Sequence, residues 1–222
     1  MSSLSINHLR LLSEEAAQVS NEAHSAAEGL SFPPQKVVNC DSEPRFRSQL
    51  ARDLSCLFDA DPEIVSWRCL AGTVTSTDHE GIQRIHVPDF HVYRLDGTHS
   101  LVDALPAGSV ATQTEKSPLS APVMDPEPDY RVVREEEIRG GYKLMNVKDL
   151  LDACVEPGSL EDRIKLLALL DACGPLQIIE CVQSLMMSTS AISIIAYLYF
   201  KHQIIVDLED SPIGPETLIW RP

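Results

Sequence analysis

The chain has few basic residues. Its 18 lysines and arginines stand against 33 aspartates and glutamates, for a formal net charge of −15. A domain that binds nucleic acid by itself usually presents a basic face, because its affinity comes largely from cations that contact phosphates. The composition therefore argues against unaided DNA or RNA binding and favours assembly with basic protein partners.

Long apolar runs are also absent, and so is a leader-like segment. No stretch approaches the roughly 20 apolar residues that cross a bilayer. The first residues do not combine a basic segment, an apolar stretch and a small-residue cleavage site. We therefore expect a cytoplasmic protein that has no membrane partner.

No two cysteines occur at the Cys-x-x-Cys spacing. All six lie in segments whose patterns are typical of a protein core. This favours reduced, buried thiols over a disulfide framework or a zinc site. The six are Cys40, Cys56, Cys69, Cys154, Cys173 and Cys181.

Apolar periodicity and proline content divide the 222 residues into four segments. The first begins with Ile6, Leu9, Leu11 and Leu12 and then becomes polar, which predicts a frayed amphipathic helix or an arm that packs on a partner. The third carries five prolines and no periodic apolar face, as a linker or long loop does. The segments are an N-terminal arm (1–40), a core (41–105), a proline-rich linker (106–129) and a C-terminal unit (130–222).

The core segment predicts one helix followed by antiparallel strands. Apolar residues in 46–58 share a helical face, and Asp61-Pro62 ends that helix. Asp96-Gly97 is a two-residue hairpin signal between a strand at 89–95 and a short strand at 100–103. A helix followed by a meander predicts an α+β fold.

The C-terminal segment is predominantly helical. Asn146, Ser159 and Ser188 are predicted to cap three of its helices. Helices followed by a β-hairpin predict a winged helix. The predicted helices are 146–154, 159–173, 174–186 and 188–202, and the strands are 203–208 and 217–220.

Two aspartates in the core segment have the spacing of a metal-dependent nuclease. In such a site, one acid at a strand end and a second acid on the next strand hold a divalent ion, because Mg²⁺ prefers oxygen ligands. Asp89 in the sequence Pro-Asp-Phe and Asp103 in the sequence Leu-Val-Asp are the candidates. The lysine expected two positions after the second acid is Leu105, and the nearest lysine downstream is Lys116.

Three stretches together resemble the TnsA endonuclease subunit of heteromeric cut-and-paste transposases. The first is SQLARDL at 48–54 with FDADPEIV at 58–65. The second is HVPDF at 86–90, followed by Asp96-Gly97 and LVD at 101–103. The third is 130–146, which is similar to the opening of the family's C-terminal winged-helix domain.

This resemblance implies a restriction-endonuclease-like (PD-(D/E)xK) core that cuts DNA with magnesium, and a C-terminal domain that docks on other transposition proteins. It assigns Asp89 and Asp103 as the metal ligands. The family's helix acid falls at Arg47 or Gln49, and neither is a carboxylate. Gln49 is therefore a relic position, expected either to coordinate through its amide oxygen or to donate a hydrogen bond to Asp89.

These departures predict a TnsA-like scaffold subunit of a bacterial transposition complex that has a degenerate nuclease site and no cofactor. The expected partners are a transposase subunit, an AAA ATPase regulator or both, with DNA contacted only within the complex, and an oligomer of the chain is one option. One alternative is an active endonuclease that uses magnesium to cut transposon ends. Another is a regulatory or defence-associated adaptor that has no part in transposition.

Four histidines, His79, His86, His91 and His99, lie within about twenty residues and suggest a metal site or a general base. None pairs with a cysteine at ligand spacing, so scattered surface histidines are the favoured interpretation. The apolar helix expected near 191–200 lacks the side chains that read a DNA groove. Its apolar face suits either a protein partner or burial in the core.

The charge balance makes a direct prediction. The isolated protein should bind duplex DNA no more tightly than non-specific binders do, with a dissociation constant of about 10⁻⁴ to 10⁻⁶ M at physiological salt. Fluorescence anisotropy with a labelled duplex measures this. A submicromolar constant for the protein alone would reveal a local basic surface that the composition hides.

Overall fold

A computed structural model describes six stretches of the chain. The predicted N-terminal arm lies outside them except for its last five residues, and so do His79 and Ser188. The described residues are 36–70, 74–77, 83–109, 116–118, 128–185 and 191–222.

The first half of the chain is built on a four-stranded mixed sheet in the order β1-β4-β5-β7. The pairs β1–β4 and β4–β5 are antiparallel, whereas β5–β7 is parallel. A separate three-stranded sheet in the order β3-β2-β6 comes from the intervening segments. The elements are α1 (Gln49–Ala60), β1 (Ile64–Cys69), β2 (Val74–Thr77), β3 (Gln83–His86), β4 (Phe90–Arg94), β5 (His99–Leu105), β6 (Lys116–Pro118) and β7 (Asp129–Arg134).

Helix α1 begins three residues later than its apolar pattern predicts. Ser48 is extended and its side chain accepts a hydrogen bond from the Ala51 N–H, so it acts as the N-cap. Phe46 and Arg47 therefore precede the helix. Phe46 still belongs to the core, where its ring lies 6.4 Å from that of Phe90.

Aromatic rings join α1 to the sheet. The Phe58 and Phe90 rings meet edge to face at 5.1 Å, and the Trp67 and Phe90 rings do so at 5.6 Å. Trp67 and Phe90 are completely buried. Because Phe90 and Val92 face α1, alternation along β4 turns His91 and Tyr93 to the opposite face of the sheet.

The predicted hairpin at Asp96-Gly97 joins β4 to β5. Its loop has three residues rather than two, because the Arg94 N–H bonds to the Thr98 carbonyl. Gly97 has a φ of +83°, a left-handed conformation that glycine adopts without strain. The hairpin fixes the register that sets Phe90 opposite Val102.

The second half of the chain combines helices with a small antiparallel sheet in the order β8-β10-β9. Ser159 caps its helix as predicted, since its side chain accepts a hydrogen bond from the Asp162 N–H. The elements are α2 (Glu135–Arg139), α3 (Lys143–Ala153), α4 (Leu160–Cys173), β8 (Leu176–Gln177), α5 (Ile178–Ser184), α6 (Ala191–Phe200), β9 (Ile205–Val206) and β10 (Leu218–Trp220).

Asn146 does not cap a helix, contrary to the sequence prediction. It lies inside α3 and is fully buried, and its side chain bonds to the Leu208 and Ser211 carbonyls and to the Ile213 N–H. An asparagine amide can satisfy carbonyls and an N–H at once. Asn146 therefore holds the 208–213 segment against α3.

The segment boundaries that the sequence predicts disagree with the observed strand pairing at two places. Residues 130–134, assigned to the C-terminal unit, belong to β7 and complete the first sheet. The predicted linker contains β6, which pairs with β2. The protein is a mixed α+β structure, and no helix within its described residues is long and apolar enough to cross a bilayer.

A buried carboxylate on α1 connects the two halves of the chain. Asp53 accepts hydrogen bonds from Arg139 at 2.6 and 2.8 Å, from Lys148 at 2.6 Å and from Gln49 at 2.8 Å. Its side chain is only 3% exposed, whereas Arg139 and Lys148 are 40% and 37% exposed. Burial alone would raise the pKa of Asp53, but hydrogen bonds from these neighbours outweigh it and lower the pKa.

The Asp53 contacts predict the effect of replacing this residue. Asp53→Asn should lower the free energy of unfolding by about 1–3 kcal/mol, because charge-assisted hydrogen bonds are lost while water can still reach the two cations. Since the folded-state pKa is lowered, this stabilisation is present above the unfolded pKa and is lost as the pH falls through the folded one.

Urea denaturation between pH 3 and pH 7 tests this. The difference between wild type and variant should shrink at the acid end. Asp152→Asn replaces an exposed aspartate and should change stability by less than about 0.5 kcal/mol. An equal loss of unfolding free energy in the two variants would contradict the stabilising role of the Asp53 carboxylate.

Candidate functional site

The two predicted acids lie side by side at one end of the first sheet. Asp89 immediately precedes β4, and Asp103 lies on β5. The Asp89 N–H donates to Asp103 Oδ1 at 3.0 Å, and the Ala104 N–H donates to Asp89 Oδ2 at 3.0 Å. Backbone pairing therefore fixes the distance between the carboxylates, and both residues are buried.

The guanidinium group of Arg47 lies between these carboxylates. Its Nε and Nη2 donate to Asp89 Oδ1 at 2.9 and 2.8 Å, and Nη2 lies 3.4 Å from Asp103 Oδ1. Arg47 reaches them from the turn before α1, where the Ser48 cap ends the extended segment. A cation of the chain itself thus neutralises part of the acid pair.

Two further side chains complete the surroundings of Asp103. His86 Nε2 lies 2.6 Å from Asp103 Oδ2, and the Tyr130 hydroxyl donates to the same oxygen at 2.5 Å. Tyr130 comes from β7, so this contact depends on the parallel β5–β7 pairing. Hydrogen bonds from β3 and β7 therefore converge on one carboxylate.

Burial and hydrogen bonding shift the two acids in opposite directions. Burial raises the pKa of Asp89 above its ordinary value, although Arg47 and the Ala104 N–H act in the other direction. Burial acts in the same way on Asp103, but the hydrogen bonds from His86 and Tyr130 outweigh it and lower its pKa. Burial and the hydrogen bond to Asp103 raise the pKa of Tyr130.

Magnesium does not fit this arrangement of residues. All four carboxylate oxygens of Asp89 and Asp103 already accept hydrogen bonds from the chain. Arg47 also occupies the space that a shared ion needs and would repel a second cation. Within the described residues, no group of three or more histidines, cysteines or acids could hold a metal ion.

Gln49 and Leu105 add no metal ligand and no charged group to Asp89 and Asp103. Gln49 donates to Asp53 rather than to Asp89, so that predicted contact is wrong. Leu105 lies at the end of β5 and is half-buried. Strand alternation sets it on the same face as Asp103, as predicted.

Two of the four histidines, His91 and His99, are buried. His91 lies on β4 and His99 on β5, with His91 Nε2 2.8 Å from His99 Nδ1 and the Tyr93 hydroxyl 3.2 Å from His91 Nδ1. Burial, followed by the charge of His99, lowers the pKa of His91 to about 4. The prediction that the histidines lie on the surface is wrong for these two residues, because the cross-strand register brings them together in a buried position.

Sequence reasoning missed Arg47 and Tyr130 as site residues. Arg47 occupies one of the two positions to which the resemblance assigns the family's helix acid. This position is the only feature of the sequence that could have indicated that Arg47 belongs to the site. Tyr130 is 27 residues from Asp103 in sequence. Because the proline-rich segment separates their strands, no local pattern predicts that the two strands pair.

Cys40 and Cys69 lie on either side of Ser42 at the margin of the sheet. Cys40 donates to the Ser42 carbonyl at 3.1 Å, and the Ser42 hydroxyl accepts from the Cys69 N–H at 3.1 Å. A hydrogen bond from the Cys69 thiol is the main cause that lowers the pKa of Cys40 to about 6, and the pKa of Cys69 is raised correspondingly. Both thiols are half-buried.

Comparisons with known proteins add no identity. No protein-family model matches the chain, and no curated protein matches it significantly.

The cysteine pair predicts selective alkylation. At pH 7 iodoacetamide should label Cys40 before Cys154, which is equally half-buried, because the thiolate is the nucleophile and the pKa of Cys40 is about 6. Peptide mass spectrometry over a pH series measures the rates. Cys69→Ala should move the midpoint for Cys40 towards the ordinary value of about 8.5, and Cys154→Ala should leave it unchanged. A wild-type midpoint above pH 8 would refute the thiol contact.

Proposed function

We propose that the protein is a TnsA-like subunit of a bacterial DNA-transposition complex, in which it acts as an assembly scaffold with an inactive nuclease site. The position of Arg47 carries the proposal. Its guanidinium group bridges Asp89 and Asp103, the two positions that the resemblance assigns to metal binding. Leu105 supplies no charge where the lysine would be needed.

The architecture of the first half supports a restriction-endonuclease-like core. One helix packs on a sheet of three antiparallel strands and a fourth strand parallel to the third. The first acid, Asp89, immediately precedes the second of these strands, and Asp103 lies on the third. The resemblance expects its two metal-binding acids in this order along the chain. The departures from the family's motif are the side chains at Arg47, Gln49 and Leu105, where the resemblance expects an acid and a lysine.

The second half supports a winged-helix assignment. From α4 onwards the order is helix, strand, helix, helix, strand, strand, and β10 lies between β8 and β9. The helix that would read a DNA groove is α6, and eight of its ten residues are buried. Its face is therefore part of the core, which favours protein partners over direct groove reading.

Charge indicates the kind of partner. With a net charge of −15, the protein suits basic surfaces of a transposase subunit or of an AAA ATPase regulator in the bacterial cytoplasm. DNA would be contacted within that complex. Transposase and ATPase genes beside the gene for this chain would agree with the proposal, and their absence would favour an adaptor role outside transposition.

Arg47 provides the direct test. Wild-type protein should not nick plasmid or transposon-end DNA with Mg²⁺ or Mn²⁺, alone or with its partners. Arg47→Ala should bind Mn²⁺ at least about tenfold more tightly than wild type, equivalent to about 1.4 kcal/mol, because removing the cation leaves two adjacent carboxylates. Calorimetric titration at pH 7 measures the affinities.

A neighbouring arginine provides the matched control. Arg45 is exposed and bonds to Glu43, so Arg45→Ala should leave Mn²⁺ affinity unchanged. Equal affinities for wild type and Arg47→Ala would show that the acid pair is not a vacated metal site. Reproducible nicking by wild type that Asp89→Ala abolishes would replace the scaffold with an active endonuclease.

A further inference from the structure

A pocket of about 170 Å³ opens between α1 and α3, where the two halves of the chain meet. Each helix turns one face to it, because positions three and four residues apart lie on the same side of a helix. The helical residues that line the pocket are Gln49, Arg52, Cys56, Lys148, Leu151 and Asp152. Lys36, from the segment before α1, completes the lining.

Basic side chains dominate this pocket, although acids outnumber bases in the whole chain by 33 to 18. Lys36, Arg52 and Lys148 are basic, and among the described residues Asp152 is the only acid in the lining. The three cations come from three different parts of the chain. Like charges that the fold brings together repel one another, so an anion among them would be stabilising.

The buried carboxylate of Asp53 accounts for only part of this charge. It accepts hydrogen bonds from Lys148 and Gln49, as well as from Arg139. Even when Asp53 is counted with Asp152, two carboxylates stand against three lining cations. An ammonium group has three N–H donors and a side-chain amide has two, so Lys148 and Gln49 can keep their bonds to Asp53 and still donate to a ligand.

A phosphate group matches both the size and the donors of this pocket. A water molecule occupies about 30 Å³ in the liquid, so the pocket has room for about five of them. A phosphate group has a similar number of heavy atoms, and any larger group attached to it would remain outside. Its oxygens accept paired bonds from a guanidinium group and point-charge contacts from ammonium groups, as Arg52, Lys36 and Lys148 offer.

We propose that this pocket binds a phosphate group through Arg52, Lys36 and Lys148, with the Gln49 amide as a further donor. The exposed Asp152 weakens this binding by its charge. The phosphate belongs either to the free ion or to a DNA backbone, since both present the same oxygens. The site does not rest on the proposed transposition function, because it requires neither the acid pair nor a protein partner.

A nuclear magnetic resonance titration of the full chain with inorganic phosphate, at constant ionic strength, tests this. The side-chain amide resonances of Gln49 should shift and saturate, with a dissociation constant of about 1 mM or lower. Arg52→Gln should weaken binding about tenfold, because a charge-assisted hydrogen bond is lost. Lys36→Gln changes an exposed residue and should also weaken binding, which keeps the test decisive should the arginine variant fail to fold. Lys143→Gln removes the same charge outside the lining and should leave binding unchanged.

Removing the acid should have the opposite effect, which loss of folding could not imitate. Asp152→Asn should strengthen phosphate binding about threefold, because a nearby repulsive charge disappears. Asp149→Asn is the matched control, since it removes the same charge from an exposed position on α3 that does not line the pocket. It should strengthen binding less than Asp152→Asn does.

A labelled DNA duplex distinguishes the two sources of phosphate. If Arg52→Gln weakens the binding of inorganic phosphate and of the duplex alike, the pocket holds a backbone phosphate. If it weakens the binding of inorganic phosphate alone, the ligand is the free ion, and both results support the site. Two outcomes would overturn it: resonance shifts that do not saturate with phosphate, and equal phosphate affinities for wild type, Arg52→Gln and Asp152→Asn.

Discussion

The burial of carboxylates organises this fold. Asp53, Asp59, Asp89 and Asp103 are all buried in the first half of the chain. A desolvated carboxylate is costly unless donors surround it, so each must gather N–H or O–H groups from elsewhere in the chain. Asp59 does this with the Val38 and Asn39 backbone and the Trp67 indole, which fixes the segment before α1 against β1.

The other three aspartates connect more distant parts. Asp53 binds Arg139 and Lys148, 86 and 95 residues further along the chain. Asp89 and Asp103 gather Arg47, His86 and Tyr130. Arginine suits this role better than lysine would, because its planar group donates to both carboxylates at once. The acid pair that suggests a metal site is thus satisfied by the same kind of contact that joins α1 to the helices of the second half.

Short-range patterns in the sequence predict much of this structure. The Asp96-Gly97 turn and the alternation around it set Asp89 beside Asp103, and Ser159 caps its helix. Long-range contacts of side chains escape such patterns. The partner of Gln49 depends on the rotamer of a long side chain, and the buried His91–His99 pair depends on a register that only the folded sheet defines. Asn146 has the chemistry of a cap, yet its amide satisfies a loop more than 60 residues away.

The parallel strand β7 has a consequence for how the chain can be divided. A fragment that ends at the proline-rich segment would lose β7, leaving the inner edge of β5 unpaired over six residues and Asp103 without the Tyr130 hydroxyl. Exposed strand edges recruit other chains. The polypeptide before residue 106 therefore does not contain a complete first sheet, and evolution could exchange the second half of this protein only together with the strand that precedes it.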